Sequence, residues 1–405
     1  MASSERRRAY QGPAFLSGGF RPFFLLAATW SALAMGLWIV WFTGLIDLPA
    51  AFDPFTWHVH EMLFGFGAAT VCGFLLTAVP NWTGRLPVTG KPLAALALVW
   101  LAGRIVVLLG GGLPPLWVAL TDCAFLASLA AIIGREVIAG RNWRNLPVLG
   151  LTLLLLAANI GFHIQAMQGE VPYAGWPGRL GIAALVFLVC LIGGRIIPSF
   201  TRNWLAQRGP GRLPQPPSRF DAGVLALTGV ALLGWIVVPD HLLSGAALVT
   251  AGVGHVGRLS RWAGWRALAE PLVAVLHIAY LFVPLGFILL GCSVLDPANV
   301  RPAAGLHGWL AGAIGLMTLA VMTRASLGHT GRSLQAGLRE LAIYGSVTLA
   351  ALARTAAGLG GPGWLLHLAA AGWIAGFALY AVFYAPILIG PRLAPRQPSR
   401  APAGA

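Results

Sequence analysis

Trp57-His58-Val59-His60-Glu61 opens a predominantly apolar run that ends near Val79. The run is about 20 residues long, the length that carries an α-helix across the hydrocarbon core of a bilayer. At its mouth stand two imidazoles and a carboxylate. Such groups are costly in hydrocarbon and need partners, protons, a cavity or a metal. A cluster at the water boundary is the other reading of the same five residues, because His and Glu stay hydrated there at little cost.

The rest of the chain repeats the pattern. Of 405 residues, 58% are hydrophobic and 10% charged, against about 25% charged in a typical soluble domain. Apolar blocks fall at roughly 20–46, 56–79, 92–110, 114–138, 147–168, 178–198, 220–238, 240–257, 268–291, 303–324, 336–356 and 363–389. Each is expected to be helical, because a helix satisfies its backbone hydrogen bonds internally within lipid. The expected fold class is therefore all-α, a polytopic membrane helical bundle of about twelve transmembrane helices. Residues 1–19 read as a cytoplasmic N-terminal tail, 20–391 as one transmembrane domain and 392–405 as a disordered cytoplasmic C-terminal tail. Met1 to Gly19 is polar and carries Arg6, Arg7 and Arg8, without the apolar core or cleavage site of a signal peptide. The first span is expected to direct insertion.

The net charge of +15 does not point to nucleic acid, for no recognition motif or aromatic-interleaved basic surface accompanies it. The basic residues flank the apolar runs instead, where they orient spans and meet lipid headgroups. With the N-terminus inside, Arg85, Lys91, Arg135, Arg141, Arg202, Arg258, Arg324 and Arg392 are among the cations on the cytoplasmic side. Arg104, Arg179, Arg301 and Arg354 remain opposite, beside Asp47, Asp53, Glu170, Asp240 and Asp296. Both termini are thus expected in the cytoplasm. Spans two, six and ten close alike, in Ala78-Val79-Pro80-Asn81-Trp82-Thr83, Ile196-Ile197-Pro198-Ser199-Phe200-Thr201 and Val321-Met322-Thr323-Arg324. This fits a threefold repeat of four helices, and equally chance similarity among Pro-terminated helices.

The histidines sort by depth on this topology. His58, His60, His163, His241, His307 and His367 fall in the outer half, and His255 and His329 at the cytoplasmic boundary. His277 falls near the middle of span nine, roughly 13 Å deep at 1.5 Å per residue. His58 and His60 are two residues apart, hence roughly 200° apart on a regular helix, so each is expected to serve a different neighbour. Glu61 could orient an imidazole through its free N–H. His307 is the natural partner of His277 for a planar cofactor between helices, since haem iron and copper both accept imidazole. A hydrogen bond from His277 to another helix is the competing reading. Asn159 and His163 share a helical face and read as a polar seam, while Asp122, Arg104 and Arg195 read as internal ion pairs or a proton path. Cys72, Cys123, Cys190 and Cys292 have no CxxC spacing and read as small apolar residues, with a lone copper ligand as the other option. No CxxCH motif occurs, so any haem would be noncovalent.

At these residues the chain resembles the NnrS family. The matching stretches are Gly19-Phe20-Arg21-Pro22-Phe23-Phe24, Trp57 through Gly65, Gly73 through Gly84, Gly194 through Asn203, and His307 with Arg324 through Arg332. Val59 stands where that family's first motif carries Ala. The resemblance implies a twelve-helix protein of the bacterial cytoplasmic membrane that binds haem b and copper and protects against nitric oxide and nitrosative stress. Depth and spacing nominate His58, His60, His277 and His307 as cofactor ligands, with His329 added for metal and Glu61 and Arg324 in support. Two other readings stay open: a haem–copper oxidoreductase reducing nitric oxide or oxygen with quinol, and a transporter of a small metal complex. Topology reporters check the orientation. Alkaline phosphatase fused after Gly112 is expected to be active and a fluorescent protein fused at the C-terminus to fluoresce, and the converse pattern overturns the assignment.

Overall fold

The computed structural model describes residues 10–85 and 87–393, so part of the N-terminal tail, including Arg6, Arg7 and Arg8, and the 394–405 segment of the C-terminal tail lie outside the described residues. Among the described residues, twelve helices are long and apolar enough to cross a membrane: α1 Phe20–Phe42, α2 Pro54–Thr83, α3 Lys91–Leu109, α4 Pro115–Ala139, α5 Trp143–Met167, α6 Trp176–Leu205, α7 Arg219–Val237, α8 Leu242–Ser260, α9 Pro271–Leu295, α10 Pro302–His329, α11 Leu338–Gly358 and α12 Trp364–Ile389. No strand occurs among the described residues. The chain is a multi-pass membrane protein.

Most successive helices pack side by side, and α12 returns to α1. The guanidinium of Arg21 at the start of α1 donates to the carbonyls of Leu388 and Gly390 at the end of α12, at 2.7 Å each. The first and last helices therefore meet at one face of the bundle. That terminal face is the one the loop charges assign to the cytoplasm, and the opposite face is called distal here. Apolar side chains line the outside of the bundle as well as its core. Leu338, Leu45 and Leu243 are largely exposed, as lipid-facing surfaces require, while α2, α6, α9 and α10 are the most enclosed helices. Between α1, α2, α6 and α10 lies a cavity of about 80 Å³ with an almost wholly apolar lining. Its two threonines, Thr70 and Thr318, spend their hydroxyls on the carbonyls of Phe66 and Gly315 in their own helices.

Two central helices share a plan that residue periodicity did not announce. α2 begins as a short α-helix, Pro54–His60, widens into a π-helix over Glu61–Gly67, and resumes as α over Ala68–Thr83. α10 repeats this as Pro302–His307, Gly308–Leu316 and Met317–His329. In both, Pro sits at the first turn, where its missing N–H costs nothing, and a histidine stands at the junction with the wider turn. π segments are rare and frequent at functional sites. α6 is α-helical throughout.

Three expectations need correction. Pro80 and Pro198 do not close their helices: α2 continues to Thr83 and α6 to Leu205. A broken helix in an apolar surround would leave backbone groups unpaired, so interior prolines are accommodated there instead. α10 likewise runs past Arg324 to His329, where Gly331 at φ +77° turns the chain. Glycines set the close approach of α9 and α10. A Cβ on Gly286 would lie 2.6 Å from Nε1 of Trp309, whose N–H donates to the Val283 carbonyl at 3.1 Å. Gly286→Ala is expected to cost about 1–3 kcal/mol and lower the thermal midpoint in detergent. Gly345→Ala, with open space around it, should leave that midpoint unchanged or raise it.

Candidate metal centre

The histidine junction of α2 feeds two separate clusters near the distal face. His60 points inward to α4 and α5. Its Nε2 lies 3.1 Å from Oδ2 of Asp122 and 3.1 Å from Oδ1 of Asn159, and its Nδ1 lies 3.0 Å from Oε1 of Glu61. His163 brings its own Nε2 to 3.0 Å from the same Asp122 oxygen, and Asn159 donates to that oxygen at 2.8 Å. Arg104 on α3 bridges the two carboxylates, donating to both oxygens of Glu61 at 2.8 Å and to Oδ1 of Asp122. Trp30 of α1 completes Glu61 with a 2.6 Å hydrogen bond. Five helices thus meet at one buried polar knot, in which His60, Glu61, Arg104, Asp122, Asn159 and His163 are all buried.

Local sequence explains why the knot fits. The π turn brings Gly65 over the Glu61 carboxylate, where a Cβ would lie 2.6 Å from Oε2, 2.7 Å from the Arg104 guanidinium and 2.8 Å from Nε1 of Trp30. Trp100 donates to the Gly65 carbonyl at 3.0 Å and so secures the widened turn. Phe52, Phe64 and Phe162 pack around the His60 ring and keep lipid and water from it.

Charge counting gives the knot its chemistry. Two carboxylates and one guanidinium sum to −1, an expensive surplus in a medium of low dielectric. One more positive charge restores neutrality. Both His60 nitrogens face carboxylate oxygens, which only accept, so a protonated His60 satisfies every contact. A monovalent metal cation in place of that proton would do the same. The geometry offers one a seat: His60, Asp122 and His163 each present a ligand atom, all within 4.8 Å of one another. His60 Nδ1–H donating to Glu61 would leave Nε2 as the ligand atom, the arrangement by which outer carboxylates orient metal-bound imidazoles.

The second cluster lies around His58. Its ring stacks on Trp38 of α1 with centroids 4.1 Å apart, and its buried Nδ1 has no partner. His307 lies within electrostatic range of His58. Its Nδ1–H donates to the Ala303 carbonyl at 2.9 Å, which leaves Nε2 with a free lone pair. An unpartnered nitrogen on His58 and a committed tautomer on His307 are what residues that would hold a haem iron require.

The remaining nominated residues lie elsewhere. α9 begins at Pro271, so His277 is six residues in, and it belongs to the terminal half. Its Nε2 lies 2.8 Å from Oγ1 of Thr201, whose hydroxyl is committed to the Ile197 carbonyl. Gly308 packs against Gly286, nine residues beyond His277, so His277 and His307 are separated by roughly 14 Å of helix. His277 thus lies in the terminal half of the bundle and His307 near the distal face. His329 packs against Phe20 at the terminal face, and Arg324 lies over the Phe200 ring at 4.2 Å, within range of Glu270. Neither supports the histidines of the distal face. His255 closes a separate chain, with Nδ1 2.9 Å from the Tyr280 hydroxyl and Nε2 2.9 Å from Thr228. Arg195 is exposed. The candidate site residues that periodicity undervalued are Asp122, Asn159 and His163. Their signal was depth, since Arg104 and Asp122 flank one short turn and His163 stands near the distal end of α5.

A family model described as NnrS protein matches residues 14–392, nearly the whole chain. A search of curated proteins finds no match. The knot yields its own test. Arg104→Met strands two buried carboxylates and is expected to cost about 3–5 kcal/mol. Adding Glu61→Leu should recover part of that loss in thermal unfolding, whereas additive losses would show that the two side chains are not coupled.

Proposed function

The chain belongs to the NnrS family, and from that membership we propose a membrane protein of the nitric oxide response that holds copper and haem b at two adjacent sites. The observation that carries the reading is the convergence of His60, Asp122 and His163 in a sealed knot one positive charge short of neutral. On this reading His60, Asp122 and His163 hold copper, and His58 and His307 hold haem. His277 and His329 belong to neither set. When bound, the metals supply one-electron chemistry and a ligation site for nitric oxide.

The chain's own groups prepare those sites. Glu61 fixes the His60 tautomer, and Arg104 and Asn159 hold the Asp122 carboxylate in place. The ring cage excludes water, which strengthens every electrostatic term inside it. His307, locked by Ala303, presents one nitrogen only. Nitric oxide is small and weakly polar, so it reaches the distal half of the bundle through the apolar phase. The bacterial cytoplasmic membrane is the expected setting. One observation favours a second reading, a quinol-driven haem–copper oxidoreductase: His58 and His60, two residues apart, join the two clusters through a single helix turn. Turnover of purified protein with a quinol analogue would decide for it.

Absorption spectra and metal analysis on detergent-purified variants check the ligand sets. His60→Ala and His163→Ala should lose copper and keep the Soret band. His58→Ala and His307→Ala should lose the Soret band and keep copper, and His277→Ala should retain both. A colourless wild-type protein with neither metal overturns the proposal.

A further inference from the structure

Near the distal end of α11 stands a cation without a counter-charge. Arg354 is only partly exposed, and among the described residues it makes no hydrogen bond and no ion pair. Its position follows from helix packing. Gly358 meets the backbone of Ala304, where a Cβ would lie 2.6 Å from the Ala304 nitrogen. α11 and α10 run in opposite directions, so one turn before Gly358 corresponds to one turn after Ala304. Arg354 therefore faces His307 and Gly308. Both His307 and His58 lie within its electrostatic range.

A guanidinium left among imidazoles and apolar side chains is costly. Two further polar atoms in the same neighbourhood are buried without partners: Nδ1 of His58 and Nε1 of the Trp38 ring stacked on it. Unsatisfied groups gathered at one place call for a ligand rather than for chance. That ligand must offer a metal to imidazole nitrogen and an anionic oxygen pair to a planar fork of N–H donors. Guanidinium and carboxylate match in just this way.

We propose that Arg354 is the anchor for a propionate carboxylate of the haem held by His58 and His307. The inference rests on the haem reading above and adds to it the residue that fixes the cofactor's carboxylate edge. The competing role is an arginine that reaches along its stem to lipid phosphate at the membrane boundary.

A chemical double-mutant cycle separates the two. Full-length protein in detergent is titrated with haem and with haem dimethyl ester, which carries no carboxylate, and binding is read from the Soret band. Wild type should prefer haem over the ester by roughly tenfold, the worth of one charge-assisted hydrogen-bonded pair. Arg354→Gln should lose that preference and bind both alike, while Arg354→Lys should retain part of it. The haem midpoint potential should fall in Arg354→Gln, because a nearby positive charge favours the reduced iron. Equal preference in wild type and Arg354→Gln, with an unmoved potential, overturns the inference in favour of a lipid contact. If Arg354→Gln does not fold, a wild type that fails to distinguish haem from its ester overturns it alone. A wild type that binds neither overturns the haem reading itself, a result distinct from the other two.

Discussion

The interaction on which this structure depends is the bridge that Arg104 makes between Glu61 and Asp122 in the apolar interior. No partner of that bridge can be removed alone, because each would leave another charge unpaired in a medium that solvates it poorly. The remaining features of the region follow from housing it. α2 widens into a π turn so that Gly65 clears the Glu61 carboxylate, Trp30 donates to that carboxylate and Trp100 to the Gly65 carbonyl, and phenylalanines close over His60. Helices α1 to α5 are thereby joined by polar contacts as well as by packing. In a bilayer this matters more than in water, since lipid tails compete for apolar contact as well as neighbouring helices do.

The fold was largely legible in the sequence, and the reasons are physical. Hydrocarbon thickness imposes a length on every span, and the obligation to pair backbone groups leaves the helix as the form of each. Boundaries were less legible. Proline signals a stop in water but not in lipid, so α2 and α6 outran Pro80 and Pro198. A start placed at Leu268 rather than Pro271 carried His277 too deep by about one turn. The π segments left no mark in periodicity, because Glu61–Gly67 and Gly308–Leu316 are apolar on nearly every side.

The site was half legible for a different reason. His58, His60 and Glu61 sit in one short stretch, and their two-residue offset announces two destinations. His163, Asn159 and Asp122 are scattered over two other helices, and each alone looks like a minor polar seam. Only a common depth unites them, and depth is read reliably once helix ends are known. Arg324 and His329 illustrate the converse. They lie in stretches that resemble the family strongly, yet their surroundings at the terminal face are aromatic rings rather than the distal histidines.

The cavity between α2, α6 and α10 gives the bundle a mechanical character of its own. Atoms lining a void lack dispersion partners on one side, and Thr70 and Thr318 turn their hydroxyls away from it, so it offers water little. Compression favours any rearrangement that eliminates such a volume. The lining of this half-open apolar pocket is accordingly less firmly held than the ion-paired knot toward the distal face. Bilayer tension or hydrostatic load would therefore meet less resistance where α2, α6 and α10 line the pocket than at the histidines of the knot.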